Sequence, residues 1–412
     1  MKAITRASCF DGRGTAFKSA KFFQIGFGTK FLTCSFIKWR FEPRKYNKQV
    51  KQVEKLKQFL ELYSPRYGNL VRSLSYLLVV VLVVKILGNS NSFIAFYQSS
   101  FYPKIATTFR TFTGYFSFSI GDIAYTLLGL YLLISTIRNR KKFIQIVFPL
   151  LLRWCATLYL LFHVLWAFNY YGPSLAEKQN WNLEYSDTEL HALTRKLIRE
   201  SNRLQFEITK NKSTAVRQTV SDAAVENTVL KYWFLPDYAL NYETPSVKKS
   251  SYSLALSYMG FTGYLNPFSG EAQYNYESPN FNRSFTIAHE IAHQLGVGSE
   301  SECNFYAFQV TAAATDLHLQ YAAHATALRY CLNMWKFKNP VVLNFYQKSI
   351  NQGVLRNFEE ADAFWKGKST FVEKIFETFY DNFLKFNSQK DGISSYGKFI
   401  NLLIASNRND KI

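Results

Sequence analysis

Cysteine is scarce in this sequence, with five residues among 412. A small disulfide-stabilised scaffold is therefore excluded, because such folds need many closely spaced cysteines. Acidic residues are also few, with 29 Asp and Glu against 49 Lys and Arg, and charged residues make up only 19% of the chain. Hydrophobic residues reach 48%, so the chain can build a sizeable core and is neither disordered nor collagen-like.

The excess of positive charge is concentrated at the N-terminus. Residues 1–69 hold 15 Lys and Arg against 4 Asp and Glu. Such a segment attracts either nucleic acid or an anionic membrane surface. The basic block ends where a long apolar run begins, which is typical of membrane proteins, and the sequence has no recognisable nucleic-acid-binding module. We therefore expect a lipid bilayer, and no nucleic acid, as a partner of this protein.

Three apolar runs approach the roughly 20 residues that a helix needs to cross a bilayer. We predict three transmembrane helices within residues 70–171, at about 70–87, 120–137 and 143–168. Asp122 and Arg153 fall inside these runs, and we expect each to lie near a membrane interface rather than to form a buried pair.

The distribution of basic residues predicts the orientation of these helices. The loop between the second and third runs has four Lys and Arg, whereas the loop between the first and second has two. Because cytoplasmic loops carry the excess of Lys and Arg, the N-terminus is expected inside. Residues 172–412 are then an extracytoplasmic domain of an integral protein of the inner or plasma membrane.

Residues 172–412 have the pattern of a helix-rich α+β domain. Ser186 and Glu189 form a capping-box signature ahead of apolar residues at helical spacing. Residues 232–282 are rich in Tyr, Ser, Gly, Pro and Asn, which predicts short strands and loops. From residue 284 the pattern is helical almost to the end.

The segment His289-Glu290-Ile291-Ala292-His293 contains the residue types of a metal-binding catalytic motif. Two histidines four residues apart share one face of a helix, so both rings can bind one metal ion. Zinc accepts imidazole nitrogen and keeps an open position for water in catalytic sites. Glu290, beside the first ligand, is then placed as the general base. These observations predict a zinc site with His289 and His293 as ligands.

A third ligand is expected from the segment that follows. Glu300-x-x-Cys303-Asn304 resembles the Glu-x-x-Ala-Asp/Asn signature of gluzincin-type zinc peptidases, in which the Glu binds zinc and the Asp or Asn supports a ligand histidine. Glu302 is the alternative ligand, although Ser299-x-x-Glu302 also fits a capping box. We predict Glu300 as the ligand and Glu302 as a cap. A metzincin site would need histidine where Ser299 stands, so that class is excluded.

The sequence resembles a bacterial membrane family catalogued as domain of unknown function 3810, which is predicted to contain zinc metallopeptidases. The resemblance covers about residues 70–405 and departs at Cys303, where the family usually has Ala. The matching segments, besides the histidine motif, are residues 118–122, 166–171, 257–260, 266–272, 389–392 and 395–397.

The resemblance implies a zincin-like metallopeptidase domain after three transmembrane helices, with peptides or proteins as substrates. We therefore expect a membrane-anchored peptidase that hydrolyses peptide bonds with a zinc-activated water and Glu290 as base. The alternative is a membrane scaffold without activity, which keeps a structural zinc or none. A closed structural site has four protein ligands, whereas a catalytic site has three and a water.

Overall fold

The computed structural model describes residues 67–235, 240–386 and 398–409. These residues belong to one compact unit, Tyr63–Ile412. Most of the basic tail lies outside the described residues, as do the resemblance segments at 389–392 and 395–397. The described part is helix-rich with a small sheet, as the sequence predicts.

Two helical segments are long and apolar enough to cross a membrane. The first is α1, Tyr67–Gly88, and the second extends over 46 residues, Ile120–Leu165. At about 1.5 Å per residue, the 22 residues of α1 match the hydrocarbon thickness of a bilayer. Large apolar side chains such as Leu78, Ile86 and Leu127 point outward from these helices, with 61%, 69% and 61% of their surface exposed.

The second segment folds back on itself. It consists of α4 (Ile120–Asn139), a 3-10 turn (Arg140–Lys142), a π-helical turn (Phe143–Val147) and α5 (Phe148–Leu165). The backbone leaves helical geometry at Asn139 and Lys142. The rings of Tyr131 and Trp154 lie 6.1 Å apart, although 23 residues of straight helix would extend about 35 Å. The chain therefore reverses at the basic turn.

Between α1 and α4, the chain forms helices that the sequence did not indicate. They are α2 (Asn91–Phe96), a π-helical turn (Tyr97–Phe101) and α3 (Tyr102–Gly114). A second apolar core joins them to α1 and α5, and it includes Val84, Tyr97, Ala156 and Phe168.

The remaining elements form the main core. The helices are α6 (Leu175–Gln179), α7 (Asp187–Thr209), α8 (Asp222–Lys231), α9 (Ser253–Met259), α10 (Arg283–Gln294), α11 (Glu300–Ala312), α12 (Leu317–Lys338), α13 (Pro340–Gln347), α14 (Gln352–Lys368), α15 (Phe371–Phe386) and α16 (Lys398–Asn409). The predicted capping box at Ser186 and Glu189 is confirmed at the start of α7. α10, α11 and α12 pack together, with Ile287, Ile291 and Phe305 fully buried at their contact.

Two small sheets lie in the region where the sequence predicts strands. β1 (Phe234–Leu235) pairs antiparallel with β2 (Leu240–Asn241). The other sheet has the order β3-β5-β4, in which β5 (Glu271–Tyr274) lies between β3 (Val247–Lys249) and β4 (Gly263–Asn266). β5 is parallel to β3 and antiparallel to β4, and it packs against α10.

A buried carboxylate joins this sheet to the start of α4. Glu271 accepts hydrogen bonds from the backbone N–H groups of Ile120 and Gly121, at 2.9 and 2.8 Å. It also accepts from Ser119 Oγ at 3.0 Å and Ser269 Oγ at 2.7 Å. A carboxylate at a helix N-terminus satisfies unpaired donors and opposes the positive end of the helix dipole. Glu271 therefore anchors the apolar hairpin to the sheet.

A second buried carboxylate, Asp122 on α4, also joins this helix to the region of the sheet. Its carboxylate accepts from Ser251 N at 2.7 Å and from Tyr264 Oη at 2.6 Å. Arg153, by contrast, donates to Ser73 Oγ on α1 at 3.1 Å. Asp122 and Arg153 therefore contact different partners and not each other, as expected, and Asp122 is buried in a polar contact. The expected position of both residues near a membrane interface stays a prediction.

We expect Glu271→Gln to destabilise the protein by roughly 1–3 kcal/mol, because an amide nitrogen would then face hydrogen-bond donors. Urea or thermal unfolding of the detergent-solubilised protein measures this change. Glu277→Gln, at an exposed position in the same region, is the matched control. Equal stability of the two variants would contradict the anchoring role.

Candidate metal centre

The two motif histidines lie on α10. This helix buries Ile287, Ala288, Ile291 and Ala292 completely, so its apolar faces fix its position within the core. His289 and His293 are one turn apart, and their ring centroids are 4.9 Å apart. After α10, Gly296 adopts a φ of +92°, a backbone conformation that suits glycine and turns the chain toward α11.

Glu300, the first residue of α11, reaches both histidines. Its carboxylate oxygens lie 3.2 Å from His289 Nε2 and 3.6 Å from His293 Nε2. All three side chains are largely buried, with 9–12% of their surface exposed. The structure therefore brings together the three residues that the sequence predicts as metal ligands.

The Nδ1 atoms of both rings have other partners. His289 Nδ1 lies 2.9 Å from Asn304 Oδ1, and His293 Nδ1 lies 2.8 Å from the carbonyl oxygen of Val297. A carbonyl oxygen can only accept, so His293 Nδ1 carries a proton, and Nε2 is the ring nitrogen left to face Glu300 or a metal ion. Asn304 in turn donates to Tyr330 Oη at 3.2 Å. These contacts orient both Nε2 atoms toward Glu300.

Cys303 adds a sulfur to the same cluster. Ligand atoms of His289, His293 and Cys303 lie within 4.8 Å of one another, and this group could bind a metal ion. The Cys303 Sγ atom lies 3.3 Å from His293 Nδ1, on the ring edge that already donates to Val297. Burial raises the pKa of the Cys303 thiol to about 12, so the thiol keeps its proton at neutral pH.

Glu302 points away from the histidines. Its carboxylate accepts a hydrogen bond from Leu175 N, the first residue of α6, at 2.7 Å. Ser299 makes no side-chain capping bond at the start of α11. The predicted role of Glu302 as a cap of its own helix is therefore wrong. It caps a neighbouring helix instead, because the 200° rotation from Glu300 directs it to the opposite side of α11.

Glu290 is buried beside the two histidines, with 4% of its surface exposed. Its Oε2 atom has no hydrogen-bond partner among the described residues. Burial raises the pKa of the Glu290 carboxyl to about 7, against the opposing influence of the two imidazoles. A buried carboxyl with a free oxygen and this pKa can exchange a proton near neutral pH.

The charge of Glu300 is stabilised by its neighbours. Burial disfavours the carboxylate, but His293 and His289 outweigh this effect and hold the pKa of Glu300 well below its usual range. The pKa values of Glu290 and Glu300 are therefore shifted in opposite directions, because the two carboxyl groups have different contacts. Only Glu300 has direct imidazole partners.

Gly263 of β4 lies directly against Glu290. A Cβ atom at this position would lie 2.7 Å from Glu290 Oε1 and 2.8 Å from the carbonyl oxygen of Gln273. The close approach of strand and carboxyl group therefore requires glycine. The sequence analysis missed Gly263, because a single glycine in a loop-rich segment gives no signal of such a contact.

Groups from the N-terminal helices hold the end of α10. Tyr102 Oη and Arg110 Nη1 donate to the Gln294 carbonyl at 2.9 and 3.0 Å, and Trp166 Nε1 donates to the His293 carbonyl at 2.9 Å. These bonds satisfy carbonyls that have no partner within a helix. The three donors precede residue 172, so both sides of the predicted domain boundary build the surroundings of the motif helix. The predicted division of the chain at that residue stays a prediction.

The cluster opens into a cleft of about 770 Å³. His289, Glu290, His293, Glu300 and Asn304 lie on its wall. Other parts of the wall come from the ends of the apolar helices, from β4, and from α9, α12 and α14; they include Tyr125, Phe162, Met259, Gly263, Tyr330 and Trp365. Tyr396, a tyrosine late in the sequence whose hydroxyl group could stabilise an oxyanion, lies outside the described residues. Tyr330 is a described tyrosine in the cleft that the sequence analysis did not single out.

Comparison with known proteins identifies the family. The family model described as "Protein of unknown function (DUF3810)" matches residues 97–404. The chain therefore belongs to this family, which confirms the family resemblance seen in the sequence. The matched region includes His289, Glu290, His293, Glu300 and Cys303, and it begins after α1. No curated protein and no solved structure matches the chain.

Proposed function

We propose that this protein is a membrane-anchored, zinc-dependent metallopeptidase. The observation that carries the proposal is the convergence of four groups at one cleft. His289 Nε2, His293 Nε2 and the Glu300 carboxylate meet there, and Glu290 presents an unpartnered oxygen beside them.

The three ligand groups suit zinc in chemistry and spacing. Zinc in proteins takes imidazole nitrogen and carboxylate oxygen at about 2.0–2.2 Å, in a tetrahedral arrangement. Two such ligand atoms are then separated by roughly 3.3–3.5 Å. Glu300 Oε2 lies 3.2 Å from His289 Nε2 and Oε1 lies 3.6 Å from His293 Nε2, so each imidazole has one carboxylate oxygen close to this separation.

Glu300 is a better third ligand than Cys303. The Glu300 carboxylate faces both Nε2 atoms, whereas Cys303 Sγ faces the Nδ1 edge of His293. A metal ion bound through Cys303 and that edge would displace the hydrogen bond to Val297. The set of His289, His293 and Glu300 leaves every Nδ1 bond intact, and bonds of this kind are typical supports for ligand histidines.

Zinc held by these residues would supply a Lewis acid that polarises a peptide carbonyl and promotes the ionisation of water. Glu290 is placed to do the proton transfer. Its free Oε2 atom accepts a proton from the attacking water and returns it to the nitrogen of the leaving amine as the C–N bond breaks. Burial keeps this carboxyl away from competing solvent.

β4 supports the choice of a peptide as the substrate. It is the terminal strand of its sheet in the described structure, and its residues Gly263, Tyr264 and Leu265 line the cleft beside Glu290. An extended peptide can pair with an edge strand through backbone hydrogen bonds. The motif helix, the Glu-bearing α11 and this edge strand support a zincin-like domain of gluzincin type.

The alternative is an inactive membrane scaffold with a structural zinc or none. A structural zinc site is closed by four protein ligands. Among the described residues, the free oxygen of Glu290 and the open cleft favour a catalytic site over a closed one.

We expect Glu290→Gln to abolish peptide cleavage, by at least about 100-fold, while zinc binding is kept, because Glu290 acts as base and not as ligand. The full chain in detergent is assayed with a quenched fluorescent peptide library, and bound zinc is measured by elemental mass spectrometry. Glu359→Gln, at an exposed position, is the control. Loss of zinc together with activity would contradict the role of Glu290. Full zinc occupancy of the unmodified protein without any cleavage would favour the scaffold.

We expect Glu300→Ala to weaken zinc binding by more than about 100-fold, since support residues alone account for 10- to 100-fold. Glu302→Ala should leave zinc affinity nearly unchanged and cost about 1–3 kcal/mol of stability, because the N–H group of the buried Leu175 loses its partly buried acceptor. Zinc titration and thermal unfolding of both variants measure these effects. The assignment is wrong if Glu302→Ala loses the metal and Glu300→Ala keeps it.

We further propose three membrane crossings with residues 172–412 outside. The hairpin of α4 and α5 supplies two crossings and α1 the third, and the basic turn at 140–142 is the cytoplasmic end. In a variant with Cys9, Cys34 and Cys155 replaced by Ser, a membrane-impermeant maleimide on intact cells should label Lys212→Cys and not Arg140→Cys. The opposite pattern would place the metal cluster in the cytoplasm.

A further inference from the structure

One wall of the cleft is built by the ends of the apolar helices. Tyr125 lies in the second turn of α4, Phe162 lies in the last turn of α5, and Trp166 follows α5 directly; all three line the cleft. These ends are opposite the basic turn of the hairpin. In the proposed topology, the cleft beside His289, His293 and Glu300 therefore opens at the level where these helices leave the bilayer.

The helix α15 carries an exposed apolar stripe. Phe371, Ile375 and Phe379 recur every four residues, and Phe386 falls on the same side; 74%, 57%, 64% and 51% of their surfaces are exposed. Glu373, Lys374 and Glu377 lie on the other side of the helix. A helix with one apolar and one charged face is typical of segments that lie in the plane of a membrane interface.

The position of α15 places this stripe at the membrane boundary. Lys85, near the end of α1, donates to the backbone carbonyl of Phe386 at 2.6 Å and lies 4.2 Å from the centre of its ring. The ring of Phe386 also lies 6.2 Å from that of Tyr159 on α5. The C-terminal end of α15 is thus joined to two of the proposed membrane helices at the end where the cleft opens.

The other end of α15 borders the cleft. α15 packs against α9, whose residues Ala255, Leu256 and Met259 line the cavity. Glu373 of α15 lies beside Gly260, which also lines it. α15 therefore connects the membrane boundary to the rim of the cleft.

We propose that the substrate is a polypeptide segment tethered to the same bilayer by its own membrane anchor, with α15 resting on the outer leaflet beside the cleft mouth. This inference rests on the proposed peptidase function and adds the substrate class. A soluble peptide must reach a cleft bounded by membrane-helix ends and an interfacial helix. A tethered segment is already concentrated in that layer, and such confinement raises apparent affinity by about 10²–10⁴-fold.

The test uses the full chain with Glu290→Gln, reconstituted in vesicles of phosphatidylethanolamine and phosphatidylglycerol. A degenerate library of photo-reactive peptides is added in two forms, with a diacyl lipid tail on a short flexible linker and without it. Labelled protein is digested, and only crosslinks to the cleft residues Met259, Leu265 and Trp365 are counted. We expect at least about 100-fold more cleft labelling by the lipid-tailed library. Equal cleft labelling by the two libraries overturns the proposal.

A second measurement tests the contact of α15 with lipid. A fluorophore is attached to Ile375→Cys, and in a separate protein to Glu377→Cys as the control on the charged face, with Cys9, Cys34 and Cys155 replaced by Ser. Spin-labelled lipids should quench the fluorophore at 375 and not at 377. If a water-soluble quencher reaches both fluorophores and the spin-labelled lipids reach neither, the placement of α15 on the leaflet is wrong.

These outcomes are separable from the proposed function. Crosslinking and quenching need neither bound zinc nor cleavage. A protein that neither binds zinc nor cuts peptides therefore refutes the peptidase assignment, while the preference for tethered peptides is read from the labelling alone.

Discussion

The structure depends on how the end of the motif helix is held. The last carbonyls of α10 receive hydrogen bonds from Tyr102, Arg110 and Trp166, all from the N-terminal helices. These donors set the position of His293 relative to the apolar helices, because its own carbonyl is one of the acceptors. The metal cluster and the apolar helices are therefore parts of one folded unit.

The carboxylates of this protein differ in role because they differ in surroundings. Glu271 satisfies the N-terminus of α4, and Glu302 satisfies the N-terminus of α6. Glu300 faces two imidazoles, which favour its charge. Glu290 has no such partner for Oε2, and burial raises its pKa to about 7. Glu271 and Glu302 thus stabilise helices, whereas Glu290 and Glu300 line the cleft.

The contacts also explain why separate segments of the sequence resemble the family together. Residues 118–122 and 266–272 meet at the start of α4, where Glu271 accepts from the backbone and Gly121 leaves room for Asn266. Residues 166–171 meet the motif helix and the glycines after it, since Trp166 donates to His293 and Tyr170 lies beside Gly298. Residues 118–122, 166–171 and 266–272 are thus sides of contacts between the apolar helices and the region that contains the motif helix and the small sheet.

The sequence by itself determined those features that depend only on residues close together in the chain. The length of apolar runs indicated membrane helices, the capping box located α7, and the i, i+4 spacing placed His289 and His293 on one helix face. The sequence favoured Glu300 over Glu302 as the acid that faces those histidines. The tertiary structure shows this arrangement, because the packing of α11 against α10 sets which side of α11 is directed at the motif. The roles of Gly263, Glu271 and Arg110 depend on partners more than 25 residues away in the chain, and no local pattern encodes such a contact.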